Sequence, residues 1–564
     1  MKRFTFVIAV LVGASVVLLQ AGGQPIRARN GMVVSQSEIA SQVGVDALED
    51  GGTAVDAAVA TAFALAVTHP TAGNIGGGGF LVHRAASGDA VAYDFRESAP
   101  AAATPTMWFE NEEYSFERHH LSHLSVGVPG TVAGLHLAWE EHGTLPWSRL
   151  VEPAIALAEN GFTVTHDFSA SLKQALQRIQ IYPASVAQFS KHGVPYEAGE
   201  TFRQPDLART LQRIADLGPA GFYEGETARL LAQEMAANGG LITEDDLKAY
   251  RAIKREPIRG TYRGYEIISM PPPSSGGIVL VEMLNMLEGY DLVSSGFQSA
   301  RTIHLMTEAM RRGYADRALY LGDPDFNPEM PVTRLISKSH ATDLRDSIDE
   351  EHASISSPTS FTWPSESPET THFSVVDAAR NAVSLTYTLE FGYGSGIVVP
   401  GAGFLLNNEM GDFNAGPDIT NANGLIGTEP NLAEPYKRML SSMTPTILTK
   451  DGQLFMVTGT PGGRTIINTV LQTILNVVDF GMNAQEATDA PRFHHQWLPD
   501  RISYERLGFS ADTIALLEAR GHTLQARNGG QGTAQLIVFD VERNLLEGGL
   551  DRRRPDGGAV GTDR

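Results

Sequence analysis

The stretch that follows Gly51 and Gly52, Thr53 to Thr68, TAVDAAVATAFALAVT, limits what this chain can fold into more than any other. It reads as a helix, yet Ala, Val, Phe and Leu occupy every face rather than one stripe, the pattern of a helix covered on all sides. Such a helix packs inside a layered fold. A second feature acts in the same direction. None of the 564 residues is cysteine, so disulfides, a thiol nucleophile and thiolate metal ligands are excluded, and a large core must hold the chain together. A hydrophobic fraction of 42% against 19% charged residues allows that core.

The first residues bear on compartment. Lys2 and Arg3 make a positive start, the run Phe4 to Leu19 is apolar, and the small residues Ala21, Gly22 and Gly23 follow. Together they read as a signal peptide over residues 1–23, with an uncleaved N-terminal anchor as the alternative. No later stretch approaches eighteen apolar residues, so a periplasmic or secreted protein without stable membrane association is expected. With 43 basic and 65 acidic side chains the formal charge is −22. A surface that acidic repels phosphates, which excludes nucleic acid as an expected partner.

Along the chain, residues 35–68 read as two helices separated by Gly51 and Gly52. Gly76 to Gly79 precede the strand-like FLVHR and AVAYDF segments without the Gly-Lys-Ser/Thr of a phosphate loop, so they predict close backbone packing. Helical patterns follow at 147–160, 205–216, 226–238 and 300–320. Residues 350–369 change character: fifteen of twenty are Ser, Thr, Pro or Glu, a composition expected to form a mobile surface stretch. Directly after it come THFSVVD, a turn at Ala378 to Asn381, and AVSLTYTL, a predicted hairpin that begins at residue 370. Strands are predicted at 403–408 and on either side of an Asp451-Gly452 turn within 444–458. A strongly apolar helix follows at 465–479, and two strands at 534–539 and 544–549 close the chain. This order predicts an α+β fold with two sheets packed face to face between helical layers.

Three clusters carry candidate chemistry. Thr370, Thr371 and His372 open a strand just after the flexible segment. A threonine hydroxyl is a weak nucleophile unless a base takes its proton, and a threonine that begins a chain can use its own α-amine, which titrates near neutrality. Release of that amine requires cleavage between Glu369 and Thr370, which the Thr370 hydroxyl can start by attacking the Glu369 carbonyl. Gly462 and Gly463 precede a helix, where unpaired N–H groups at the positive dipole end can face an oxyanion. Arg96, Glu390, Glu409, Asp412, Ser441 and Ser442 are of the types that grip a zwitterion, acids on an ammonium, arginine and serines on a carboxylate. Each of these three clusters also has an ordinary structural reading, as strand, turn or surface. His494, His495 and His372 offer no recognisable metal-ligand spacing, so no metal and no cofactor are expected.

The strings TTHFSVVD, TYTLEFGYGSGI, LLNNEMGDF, KRMLSSMTPTI, GTPGG and APRFHHQWLPD, with DALEDGGTAVDAAVA, GNIGGGGF, YDFRE, VGVPGTVAGL and MPPPSSGG before them, resemble the γ-glutamyltranspeptidase (glutathione hydrolase) family from about residue 31 to 561. The resemblance implies an N-terminal-nucleophile hydrolase with a four-layer αββα sandwich. It implies a precursor that cuts itself into a large subunit, residues 24–369, and a small subunit, residues 370–564, which remain together as a heterodimer. Carried over by motif, Thr370 is the nucleophile and Thr388 orients it. Gly462 and Gly463 supply oxyanion N–H groups. Arg96, Ser441 and Ser442 hold the substrate's α-carboxylate, and Glu390, Glu409 and Asp412 its α-ammonium. One departure concerns the lid-length segment between Asp412 and Ser441. Its aromatics are Phe413 and Tyr436, and a GPDITNANGLIGTEP run stands where some members place a mid-loop tyrosine.

The implied activity is removal of the γ-glutamyl group from glutathione and related compounds, and its transfer to water, amino acids or peptides. Two rivals remain: a glutaryl or cephalosporin acylase on the same fold, in which the three acids would meet a ligand without an ammonium, and an exported binding protein without catalysis.

Overall fold

A computed structural model describes residues 23–356, 370–417, 419 and 427–564. The predicted signal peptide, apart from Gly23, lies outside the described residues, as do residues 357–369 of the Ser/Thr/Pro/Glu-rich segment and much of the lid-length run.

Two seven-stranded sheets, antiparallel throughout, form the middle of the fold. The first runs Gly558–Thr562, Gly31–Ser35, Thr370–Val376, Ala382–Thr388, Gly78–Arg84, Ala90–Phe95, Ile253–Arg255. The second runs Ile26–Ala28, Leu545–Gly549, Gln535–Asp540, Gln453–Gly459, Thr446–Lys450, Tyr265–Ser269, Ile258–Tyr262. Helices Glu38–Glu49, Ala54–Thr68, Trp147–Asn160 and Pro205–Leu217 lie in the layer over the first sheet. Gly276–Leu287, Ala300–Tyr320 and Thr465–Val478 lie in the layer over the second. This is the expected four-layer αββα arrangement. Strands from before and after residue 370 interleave in both sheets, so the predicted large and small subunits share one core.

Ala54–Thr68 is buried at every residue. Thr53 starts it with a capping box closed by Asp56, and the Asp377 carboxylate, beyond residue 370, accepts the Ala54 N–H at 3.0 Å. Alternation along Thr370–Val376 then sorts its side chains. Phe373 and Val375 enter the helix-side core, while Ser374 points to the second sheet and donates to the Gln535 carbonyl at 3.0 Å. On the neighbouring strand Ser384 donates to the Thr458 carbonyl at 3.0 Å and accepts from the Thr446 N–H at 2.9 Å. Near the start of the hairpin the seam between the sheets is therefore polar, buried and stitched by hydrogen bonds.

The four glycines do pack backbone on backbone. A Cβ on Gly76, Gly77, Gly78 or Gly79 would stand 2.1, 2.0, 2.4 or 2.4 Å from the carbonyl oxygens of Leu405, Thr388, Phe95 and Thr386 respectively. Two expectations need correction. Residues 403–408 form no strand, only an isolated bridge between Val398 and Leu405, because Leu405 is pinned beneath Gly76. The chain also closes on one more strand than predicted, Gly558–Thr562, which pairs with Gly31–Ser35. Its GAVGT sequence has little strand propensity, and the neighbour's exposed edge imposes the conformation.

Gly77→Ala should lower stability by about 1–3 kcal/mol, the range for overpacking a close-packed site, and should displace the Thr388 backbone. Thermal unfolding with electrophoretic measurement of chain cleavage tests this; unchanged midpoint and cleavage would contradict the packing argument.

Candidate active site

Thr370 sits at the first position of its strand, directly opposite Thr388 in the antiparallel register. Both side chains are buried, and the Thr370 hydroxyl donates to the Thr388 hydroxyl at 3.4 Å. Thr388 in turn accepts the N–H of Glu390 at 2.8 Å. Among the described residues no histidine, lysine or carboxylate is hydrogen-bonded to the Thr370 hydroxyl. His372, two residues on, engages Thr386 at 2.8 Å and Ser374 at 3.2 Å. Burial pushes its pKa down to about 3, so it is neutral and committed elsewhere. Glu369, across the predicted cut, lies outside the described residues.

One cleft is lined by Thr370, Thr388, Arg96, Glu390, Glu409, Asp412, Ser441, Ser442 and Gly463, together with Arg317, Met443, Arg464 and Ile466. Nine of the ten sequence-selected residues thus converge on it, although they come from widely separated parts of the chain. Gly462 stands one residue behind Gly463. Both have positive φ, 136° and 54°, which suits glycine, and no hydrogen bond within the described residues takes either N–H. Helix Thr465–Val478 starts immediately afterwards without a side-chain cap, which leaves its positive end facing the cleft.

Arg96 organises the polar floor. Fully buried, it reaches Glu409 and Asp412 with separate guanidinium nitrogens, stands 3.6 Å from Glu97, and donates to the Met439 carbonyl at 3.3 Å. Burial opposes its charge, but Glu409, Asp412 and Glu97 outweigh burial and raise its pKa. Burial lifts Glu97 to about 7, against the pull of Arg96, and lifts Glu409 well above the carboxylate range for the same reason. Asp412 is the accessible member, with 40% of its side chain exposed. Glu390 has a left-handed backbone, φ 75°, a conformation costly for a non-glycine residue and typical of functional turns. Asn408 donates to its carboxylate, and the His120 ring lies 3.4 Å away. Glu409 and Asp412 thus contact Arg96 itself as well as facing the cleft, a pairing that the division of labour inferred from sequence did not include.

The serine pair is held from behind. Ser275 donates its hydroxyl (2.6 Å) and N–H (2.8 Å) to the Ser441 carbonyl, so the PPPSSGG turn braces the LSSM segment. Arg317 bridges the two, reaching Ser275 at 2.9 Å and Ser442 at 3.0 Å. Sequence reasoning passed over Arg317, Glu97, Asn408 and His120. Glu97, adjacent to Arg96 in DFRES, and Asn408, adjacent to Glu409 in LLNNEMGDF, carried a local signal; Arg317 and His120 did not. The histidines considered for a metal are apart: His494 is bonded to Asn468 and Gln496, His495 to Asp500, and His372 as above.

A family model described as Gamma-glutamyltranspeptidase matches residues 40–561. The chain belongs to the γ-glutamyltranspeptidase family. It is 49% identical over 537 residues to a protein named glutathione hydrolase proenzyme from Escherichia coli strain K12, covering 94% of this chain and 92% of that one. Among solved structures, a cephalosporin acylase from Bacillus halodurans matches with TM-score 0.86 and 29% identity over 98% of this chain and all of that one. The Helicobacter pylori γ-glutamyltranspeptidase matches with TM-score 0.55 and 46% identity, covering 56% of this chain and 91% of that chain.

The raised pKa of Glu97 has a consequence for stability. The unfolded glutamate releases its proton near pH 4.5 and the folded one near 7, so between these values the folded state holds more protons. Stability therefore falls as pH rises through that window. Glu97→Gln, which mimics the protonated form, should flatten the dependence between pH 5 and 8. Denaturant unfolding of both proteins at the two pH values checks it; equal slopes would contradict the assignment.

Proposed function

We propose that the chain is a γ-glutamyl hydrolase and acyltransferase acting on glutathione and related γ-glutamyl compounds, with Thr370 as nucleophile. The carrying observation is that Thr370 and Thr388 lie in register in the same cleft as Gly463, Arg96 and the serine pair, without a side-chain base on Thr370. An N-terminal α-amine supplies that missing base. In the precursor the Thr370 hydroxyl adds to the Glu369 carbonyl carbon. The peptide C–N bond breaks, the acyl group moves to oxygen as an ester, and the nitrogen leaves as the free α-amine. Water then hydrolyses the ester, giving a Glu369 carboxylate and a Thr370 hydroxyl.

In turnover the α-amine takes the hydroxyl proton as Oγ1 attacks the γ-carbonyl carbon. The N–H groups of Gly462 and Gly463 hold the developing oxyanion. Collapse expels the amine portion, cysteinylglycine in the case of glutathione, which takes the proton from the Thr370 ammonium. Water or an amino acid or peptide amine then attacks the γ-glutamyl ester, again losing a proton to the α-amine. Thr388 orients Oγ1. Ser441, Ser442 and Arg96 take the α-carboxylate, and Glu390, Glu409 and Asp412 surround the α-ammonium, with Asp412 the most accessible. The two subunits remain one heterodimer because their strands interleave. Residues 1–23 direct export to the periplasm or medium, and no helix among the described residues is long and apolar enough to cross a membrane.

The acylase reading is favoured by the full-length likeness to the Bacillus halodurans acylase. Arg96 already gives Glu409 and Asp412 a counter-charge, so a glutaryl ligand costs less than uncompensated acids would imply. Turnover of γ-glutamyl and glutaryl anilides separates the two, and faster glutaryl release would overturn our assignment.

Purified protein should run as two polypeptides on a denaturing gel, the smaller beginning at Thr370. Thr370→Ala should give one full-length band with activity lower by about four orders of magnitude or more. Wild-type kcat/KM should show an acid limb at or below about pH 8, falling tenfold per pH unit as the α-amine protonates. A small polypeptide beginning at any other residue, or cleavage unaffected in Thr370→Ala, would refute the mechanism.

A further inference from the structure

Among the described residues two groups of side chains outside the cleft combine histidine with carboxylate at ligand-like spacing: His304, Glu308 and His522, all buried, and Glu282, Asp316 and His340, of which Glu282 is buried. They differ in how their polar atoms are satisfied. In the first, the His304 and His522 rings bond each other at 2.8 Å and His304 bonds the Asp349 carbonyl at 2.8 Å. Glu308 there is paired with Arg311 and Arg312. That group is a closed network whose one carboxylate already has two cations.

The second group is left open. Glu282, on helix Gly276–Leu287, is completely buried, and its carboxylate oxygens accept no hydrogen bond among the described residues; only a protonated carboxyl could bond to the neighbouring Asp316. Asp316, from helix Ala300–Tyr320, and His340, from helix Lys338–Asp346, close around it. The His340 Nε2 atom lies 2.7 Å from an Asp316 oxygen and 3.7 Å from Glu282 Oε1, and the three ligand atoms are all within 4.8 Å of one another. Arg334 is the nearby cation, but it is mostly exposed and hydrogen-bonded to Tyr320. Burial and the neighbouring Asp316 both push the Glu282 pKa well up, the behaviour of a carboxyl that lacks a cation. An isolated buried carboxylate is costly, and a bound cation removes that cost.

We propose that Glu282, Asp316 and His340 form a divalent transition-metal site of the Zn2+ class, which ties together three helices of the layer over the second sheet. One imidazole and two carboxylates suit Zn2+ better than Mg2+ or Ca2+, which prefer all-oxygen sets. Ligands about 2.0–2.2 Å from a tetrahedral ion stand roughly 3.3–3.6 Å apart. The 3.7 Å pair needs almost no movement, and the 2.7 Å pair needs to open by less than an ångström. Asp316 and His340 keep 15% and 13% of their side chains exposed, an edge through which water can supply a fourth ligand. The site is structural rather than part of the cleft. It does adjoin it: Arg317, the next residue after Asp316, and Ser275, the cap of the Glu282 helix, together brace Ser441 and Ser442. The ion would fix the relative position of those two helices.

The test uses full-length, tag-free, processed protein, stripped with a chelator, incubated with Zn2+ and desalted. About one equivalent of zinc should remain, and the unfolding midpoint should rise relative to stripped protein. Glu282→Gln separates the proposal from its competitor, a protonated Glu282 sharing its proton with Asp316. Glutamine imitates the protonated acid, so in the competing case stability holds and neither protein retains zinc. On our proposal Glu282→Gln loses the bound equivalent and the zinc-dependent rise. His340→Ala and Asp316→Asn, both at the open edge and therefore less disruptive to packing, should do the same. Wild-type protein that retains less than about a fifth of an equivalent, or variants that keep the wild-type stoichiometry, would overturn the assignment.

Discussion

Everything at the active centre depends on the antiparallel pairing of Thr370–Val376 with Ala382–Thr388. A strand's side chains alternate with period two, so a slip of one residue would carry Thr370 to the helix face and Thr371 to the cleft. The register is held from several directions at once. Ser374 and Ser384 are bonded across the seam to the second sheet, Phe373 and Val375 are locked into the helix-side core, and Asp377 caps the central helix. These restraints lie beyond Thr370. On the proposed scheme a cut before Thr370 would therefore free an amine at the end of a strand that these restraints already fix in place.

The buried apolar and small-residue elements were the legible part of the fold. Ala54–Thr68 declared its burial through composition, the hairpin at 370 through alternation and a turn, and the four glycines through the lack of a phosphate-loop partner. What stayed hidden depends on distant partners. Residues 403–408 look like a strand, but Gly76 lies against their backbone and removes the room for a ladder. Gly558–Thr562 does not look like one, and becomes a strand because Gly31–Ser35 offers an edge. At the site, Thr370, Arg96 and the two serines could be chosen from motif strings. Arg317 could not, because it sits among ordinary helical residues and gains its importance from Ser275 and Ser442, 42 and 125 positions away.

The pairing of Arg96 with the acids changes how recognition in the cleft should be understood. A buried guanidinium surrounded by Glu97, Glu409 and Asp412 is over-neutralised if every acid is ionised. Burial pushes both the Glu97 and the Glu409 carboxyls upward, the direction in which protons offset the excess charge. A cluster balanced in that way is sensitive to the net charge of whatever enters it. On the proposed binding mode a γ-glutamyl group arrives as a zwitterion, bringing one cation and one anion, so Asp412 and Glu390 would gain a partner while Arg96 and the serines would gain another, and the balance of the floor would be unchanged. A glutaryl group adds an anion alone and must draw a further proton into the buried cluster to restore it. Preference for an α-amino acid head then follows from charge conservation in a low-dielectric cleft as much as from any single hydrogen bond.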